Sequence, residues 1–466
     1  MLNPMAPIAP ISLLPGILIL NAKYLPDSET SAAKVGATSI AFSVAHVLQH
    51  EGLFAGMILY QRQEDLSQPK VSIQFRASIP CVVLCFNFEM RRSDIRDAIS
   101  SATEMLLMAT RGVAGLAILY HQTDTLLAYS PCWLPSCVTH HGPFYDDFVQ
   151  HFCMEQAAIA FGSREKAYHL RKHQRIGLNH LRRSKNTFVL QHSSVQRKYL
   201  TEHGIDPAQI YRLSPPIDIG QFEHQDLAAT HPEIASFVEK KPSLILFTAV
   251  ARLDFFKNVE LLMDAGIELL RRGIAVKVLV AGGDDSEQFR RANLLERVPT
   301  AFISAFMVAP KLPKDSLYAL FDAVKDNGFF VCPSRYETLG ITPLEAALSA
   351  VPTLIVDNPN VEASCYFPPG NRFRHSATDL AKVVEHLQKE GMQGRGEALR
   401  NVLKKHISHE NFKQSLLKAW AVFSKPEIGS LESMLNLSGE VVQSRLVISV
   451  EIDGTRLGHG YKVPGN

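Results

Sequence analysis

Four charged side chains in the second half of the chain have types and spacings suited to a diphosphate: Arg252 and Lys257, five positions apart, and Glu337 and Glu345, eight apart. The run Phe247-Thr-Ala-Val-Ala-Arg252-Leu-Asp-Phe-Phe-Lys257-Asn258 reads as a hydrophobic strand that delivers two cations at its carboxyl end, ahead of a helix over 259–271. A diphosphate leaving group carries two or more negative charges and needs fixed positive charge as its bond to carbon breaks. Arg offers a bidentate fork and Lys a point charge. Alone the pair says little, since most such pairs are solvated surface charges. In the second run, Phe329-Phe-Val-Cys332 reads as a buried strand. It leads through a turn at Gly340 to a helix start with Thr342 as N-cap, Pro343 at the first helical position and Glu345 at the third. A strand–turn–helix unit of this kind aims backbone N–H groups and the positive helix end at one spot, which suits a phosphate.

Each carboxylate also has a plain structural reading. At the third helical position Glu345 would complete a capping box with the Thr342 N–H, and Glu337 would be a solvated loop residue. Capping and ligand binding are compatible, because a carboxylate has about four lone-pair sites.

The elements that position these residues alternate short apolar runs with longer amphipathic segments, the pattern of an α/β protein with parallel sheets. In the first half, 17–20, 72–76, 82–86, 115–120, 137–141 and 187–192 read as strands, and 37–50 as a helix. After a Pro-rich polar stretch over 215–242 the pattern restarts, with strands at 243–250, 277–281, 301–304, 329–332 and 353–356. Two restarts predict two doubly wound, Rossmann-like domains facing each other across a cleft, the place where open α/β sheets bind ligands. The expected division is 1–225, 240–405, a helix over 406–424, and a tail over 425–466 to which the residues assign no role.

Composition narrows the class. A chain of 466 residues exceeds one core, and 46% hydrophobic with 20% charged residues is ordinary for a globular protein. A net charge of +2 gives no footprint for nucleic acid. Seven scattered cysteines without a Cys-x2-Cys pair predict free thiols, and with no signal peptide or membrane span in view the expected compartment is the cytoplasm. Between Arg164 and Lys185 stand eight Lys or Arg, three His and one acid. The default for such a run is a solvated helix face; an anionic membrane surface or an acidic acceptor is the minority reading.

The Glu337-x7-Glu345 pair in its setting, Pro-Ser before the first Glu, Gly three after it and Leu-Glu-Ala at the second, resembles the signature of retaining glycosyltransferases of the GT-B fold, family four (group 1 glycosyltransferases). The Arg252-x4-Lys257 element and its interval to Glu337 match the same family. The resemblance covers about 240–405 well and the first half in outline. It implies that Arg252 and Lys257 grip the donor pyrophosphate, Glu345 the ribose hydroxyls, and Glu337 the donor sugar. His141, in Thr139-His-His141-Gly142, matches the family's His-Gly element beside that sugar, although a His in a polar turn is more often an ordinary loop residue. Gly36, in the loop over 28–39, and Gly282, in Ala281-Gly282-Gly283-Asp284, match glycine turns; Leu339, Gly340, Ile341 and Thr342 would join the donor site. The first glycine loop has one glycine where the family usually has two. Ala350 stands where the family has Gly before x-Pro, and Asp357-Asn-Pro-Asn-Val-Glu-Ala363 replaces a Gly-Gly-Glu loop, with Glu362 a candidate for its acid.

The implied activity is transfer of a sugar, with retention, from a nucleoside diphosphate donor, expected to be UDP-linked, to a hydroxyl acceptor without a bound metal or other cofactor. Two alternatives stay open: a GT-B sugar phosphorylase using a sugar 1-phosphate, and a non-catalytic nucleotide-binding relative.

Overall fold

Continuous apolar runs become central strands here, because a parallel strand is buried on both faces. The structure is a computed structural model that describes residues 13–25, 36–76, 79–112, 115–217, 226–239, 244–425, 448–452 and 455–456. The first sheet contains β1 (Gly16–Asn21), β2 (Phe54–Arg62), β3 (Lys70–Arg76), β4 (Ile79–Phe86), β5 (Ile118–His121), β6 (Ser136–Val138), β7 (Thr187–Gln191) and β8 (Ile210–Arg212). The second contains β9 (Leu244–Val250), β10 (Val276–Gly282), β11 (Phe306–Ala309), β12 (Gly328–Cys332), β13 (Thr353–Val356) and β14 (Arg372–Phe373). Two short strands of the tail, β15 (Ile448–Ile452) and β16 (Thr455–Arg456), extend the first sheet beyond β3.

The second sheet is parallel throughout, in the order β11-β10-β9-β12-β13-β14. The chain winds outwards in opposite directions from β9 and β12, so a crevice opens between the loops at their carboxyl ends. The first sheet switches direction in the same way between β1 and β5, with β3 an antiparallel neighbour of β4. This is the GT-B architecture: two Rossmann-like sheets, each with a switch point.

Three local expectations are corrected. The segment 301–304 is not a strand but part of a 3-10 helix, Thr300–Ala305, launched by Pro299 at φ −55°; the strand follows as β11. A four-residue apolar run cannot be told from a helical turn by periodicity. β2 lies in a stretch not expected to be a strand. Its Gly56 sits at φ +124° under the Pro80 carbonyl, where a Cβ would come within 2.4 Å of the oxygen. The helix after β12 is Ile341–Leu348, with Gly340 as its N-cap at φ +83°. Thr342 and Pro343 therefore fall inside the first turn and Glu345 beyond it, and the expected capping box does not form. A left-handed Gly takes the cap that Thr342 was expected to supply.

The far end of that helix accounts for Ala350. Val351 N donates to Ala346 O at 3.0 Å and Ala350 N to Ala347 O at 3.1 Å, a Schellman ending that needs a left-handed residue, and Ala350 adopts φ +60°. A left-handed Ala costs about 1–2 kcal/mol that Gly avoids, offset in part by the greater flexibility of Gly when unfolded. Ala350→Gly is expected to stabilise the protein by about 0.5–1 kcal/mol, read as a raised urea midpoint at unchanged slope. A lowered midpoint would show that the packing of the Ala350 methyl outweighs the strain.

The helix His409–Phe423 returns to the first sheet, where Phe412, Leu416, Trp420 and Phe423 join the cluster around Leu18, Leu20 and Leu48. Trp420 Nε1 donates to Leu14 O at 2.9 Å, and its ring fills the space over Gly16 that a Cβ would need. The segment 227–239 packs on the second-domain helix Lys314–Val324, and Ile40 also joins that domain's core. All seven cysteines are free.

Candidate active site

The loops after β9 and β12 meet at the switch point of the second sheet. Asn258, at φ +47°, ends the β9 loop and caps the helix Val259–Arg271; Asn tolerates this left-handed geometry. Its amide Nδ2 donates to Pro333 O at 3.1 Å and lies 2.6 Å from His375 Nε2, tying one loop to the other. Asp254 Oδ1 accepts from the backbone N–H groups of Phe256 (3.1 Å) and Lys257 (3.3 Å), which fixes the turn carrying the cations.

Lys257 Nζ donates to Glu337 Oε1 at 2.5 Å, and Ser334 Oγ donates to the same oxygen at 2.8 Å. The two side chains are only 21% and 16% exposed. Burial opposes the Lys257 ammonium, but the charge of Glu337 and its hydrogen bond outweigh burial and raise the Lys257 pKa. Arg252 stays 58% exposed, with its guanidinium 2.9 Å from Asp254 Oδ2. Gly282 and Gly283 turn the chain beside Leu253; a Cβ on Gly282 would lie 2.6 Å from Val250 Cγ2, and Gly283 stands at φ +74°. Leu339 is buried and Ile341 packs on the second-domain core, so their side chains hold the turn in place. Glu345 is buried, its carboxylate paired with Lys314 at the first position of the helix Lys314–Val324.

The first domain brings His141 to the same place. Thr338 Oγ1, one residue after Glu337, donates to His141 O at 2.7 Å. The His141 ring shares a 2.8 Å hydrogen bond between Nε2 and Gln122 Oε1. Burial, reinforced by His192 and His140, lowers its pKa to about 3. With its pKa held that low, the unliganded His141 ring is neutral near pH 7 and offers one nitrogen as donor and the other as acceptor. Gly36 opens the helix Gly36–His50, and most of the 28–39 loop lies outside the described residues.

More contacts span the two domains. Ser194 N and Oγ both donate to Glu362 Oε2 at 2.7 Å, so the acid of the divergent 357–363 loop is spent on the amino end of the helix Ser194–Glu202. Gln196 Nε2 donates to Gly142 O and reaches Tyr336 Oη at 3.4 Å. Phe256, from the cation loop, packs with Tyr336 and with Phe148 and Phe161 of the first domain. The loop that holds Lys257 is thus clamped between both domains.

Sequence reasoning missed Lys314, Ser334, Asn258, Gln122, Thr338 and Tyr336. Ser334 and Asn258 adjoin the motifs and were within reach; Lys314 stands in no motif, and only the fold places it near Glu345. The basic helix Arg164–Arg183 spends much of its charge internally: Arg171 and Arg175 pair with Asp146 at 2.6 and 3.0 Å. Its Leu178 and Leu181 are buried with Val138 and Phe144. Among the described residues no group of His, Cys, Asp or Glu is placed to hold a metal, and no helix is long and apolar enough to cross a membrane.

Buried His121 and His192, with half-buried His141, give a pH signature. Burial lowers His121 and His141 to about 3 and His192 to about 4. Above the unfolded value near 6.5, folded and unfolded chains bind the same protons at these sites. Below it the unfolded chain gains protons that the folded one refuses, so stability falls as pH drops from about 6.5 towards 4, by up to about 1.4 kcal/mol per unit per site. Melting temperatures across that window should decline, and His192→Gln should flatten the slope; a profile level from pH 7 to 4 would contradict this.

Comparison with known proteins agrees with the fold. Residues 232–364 match the family model described as glycosyl transferases group 1. The D-inositol 3-phosphate glycosyltransferase of Rhodococcus erythropolis is 25% identical over 158 residues, 33% of this chain and 34% of that protein. The chain thus spans about a third of the length of the curated relatives it matches. The sucrose-phosphate synthase of Thermosynechococcus elongatus is similar in structure at a TM-score of 0.56 and 16% identity, covering 91% of this chain and 100% of that one. Anabaena HepE, solved with UDP-glucose, is similar at 0.61 and 12% identity, covering 87% and 99%. The chain resembles the group 1 glycosyl transferases in its second domain and shares the GT-B fold over most of its length.

Proposed function

We propose that the protein is a retaining glycosyltransferase that moves a sugar from a nucleoside diphosphate to a hydroxyl acceptor. The observation that carries this reading is the Lys257–Glu337 pair, joined across the loops that follow adjacent strands β9 and β12, with His141 of the other domain accepting from the neighbouring Thr338. Arg252 and Lys257 meet the diphosphate; Glu345 holds ribose. Glu337 spends Oε1 on Lys257 and Ser334 and directs Oε2 to a hydroxyl of the transferred sugar. Neutral His141 bonds a sugar hydroxyl and does not protonate the leaving group. The acceptor oxygen attacks the anomeric carbon on the face the phosphate leaves, and its proton passes to the departing phosphate oxygen. Positive charge comes from Arg252, Lys257 and the amino end of the helix Ile341–Leu348, so no bound metal is needed. HepE was solved with UDP-glucose, and a UDP-linked donor is the matching choice here.

Thermal-shift screening tests the reading. A nucleotide sugar at 100 times its dissociation constant adds about 2.7 kcal/mol of stability, and UDP-sugars should give the largest shift. Stabilisation by sugar 1-phosphates with none by nucleotides would favour a phosphorylase instead.

A further inference from the structure

We infer that Lys314 is a positioning residue for the nucleotide's ribose: it fixes the Glu345 carboxylate so that this group accepts from the ribose hydroxyls. The inference rests on the nucleotide reading of the site. The helix Ile341–Leu348 buries Leu344, Ala346, Ala347 and Leu348, yet among them it also buries a carboxylate, 4% exposed. Such a group is costly unless paired and hydrogen-bonded. Capping does not explain it, because Gly340 is the cap and Glu345 lies beyond the first turn. Stability does not explain it either, since a buried ion pair is commonly no better than an apolar pair of similar volume.

The partner arrives by topology. β11 to β12 and β12 to β13 are successive crossovers running the same way across the sheet. Right-handed connections therefore lay the helices Lys314–Val324 and Ile341–Leu348 on one face, both amino ends at the carboxyl edge of the strands. Lys314 occupies the first position of its helix, directly after Pro313. Its ammonium meets Glu345 Oε1 and stands 5.9 Å from the centre of the Tyr318 ring one turn on, while the side chain remains 33% exposed. The pair has a buried acid and a partly open base at the rim of the crevice. With Oε1 held by Lys314, Glu345 has one oxygen engaged and one to offer. A hydroxyl missing from the ligand then leaves a buried acceptor unpaired, which is how a site rejects a deoxy analogue.

The test compares dissociation constants of whichever of UDP, GDP and ADP stabilises the protein most with those of its 2′-deoxy and 3′-deoxy counterparts. The proteins are the wild type, Lys314→Met, Lys314→Arg and Glu345→Gln, with a melting curve for each to establish folding. The wild type should prefer the ribonucleotide over at least one deoxy form by about 10- to 100-fold, the factor set by an unpaired buried acceptor. Lys314→Met should lose affinity for the ribonucleotide, keep deoxy affinity within about threefold, and so bring the ratio close to one. Lys314→Arg should retain most of it, since a cation is restored. Parallel loss of both affinities in Lys314→Met, or an unchanged ratio, would overturn the inference. If Glu345→Gln abolishes the preference and Lys314→Met does not, only the role of Lys314 fails. A wild type without preference, or a preference that survives in Glu345→Gln, overturns the ribose reading of Glu345 and this inference with it.

Discussion

Lys257→Ala is expected to lower kcat by about 10²–10³, equivalent to about 2.7–4 kcal/mol by analogy with removing one oxyanion donor, while KM for the donor should rise less than kcat falls. The reason is where charge develops. As the sugar carbon–oxygen bond breaks, negative charge grows on the bridging phosphate oxygen, so a fixed cation stabilises the transition state more than the ground state. The ion pair adds a second effect: Glu337 loses the ammonium 2.5 Å from Oε1 and keeps only Ser334 on that oxygen. A partly buried carboxylate left so should also lower the melting temperature. Lys257→Ala combined with Glu337→Gln removes the stranded charge; if its stability recovers while kcat stays low, catalysis and folding are separated. Arg252→Lys should not restore full activity, because an ammonium cannot reproduce the bidentate fork. Wild-type kcat in Lys257→Ala, or a defect confined to donor KM, would mean that the residue contributes only uniform binding.

The two carboxylates should fail differently. Glu337→Ala is expected to lower turnover by about 10²-fold while nucleoside diphosphate affinity stays nearly intact, because in the proposed reaction Glu337 meets the transferred sugar rather than the nucleotide. Glu345→Ala should weaken nucleoside diphosphate binding by about 10- to 100-fold, the range for losing a buried acceptor of ribose hydroxyls. Calorimetric titration of both variants with UDP, beside steady-state kinetics, checks the division. Equal loss of nucleotide affinity in the two would reject it. An effect of Glu345→Ala on melting temperature alone would make that residue structural.

How much of this was legible in the sequence depended on the kind of signal. β9, β12 and β13 were legible because strands buried on both faces are written as unbroken apolar runs. Arg252, Lys257, Glu337 and Glu345 stood out by type and spacing after apolar runs, and the structure pairs Lys257 with Glu337. The helix start was misread for a local reason. Thr342-Pro343 is a good cap and first turn, but Gly340 can take φ +83°, and a Cβ there would lie 2.9 Å from the Ala363 Cβ. That neighbour is 23 residues away in sequence and invisible to a window. Lys314 and Gln122 were missed for the same reason: each meets its partner through sheet topology. Ala350 was noted as a departure, and only the backbone shows that it adopts the left-handed geometry that glycine tolerates best.

The central claim is sugar transfer from a nucleoside diphosphate with retention, and the anomeric configuration of the first product tests it most directly. The UDP-α-sugar that stabilises the protein most is incubated with enzyme, and proton NMR is recorded before mutarotation, with water as acceptor if no other is known. The α-anomer should appear first, at a rate that depends on Lys257. Initial release of the β-anomer, or release of sugar that is indifferent to Lys257→Ala, would contradict the account.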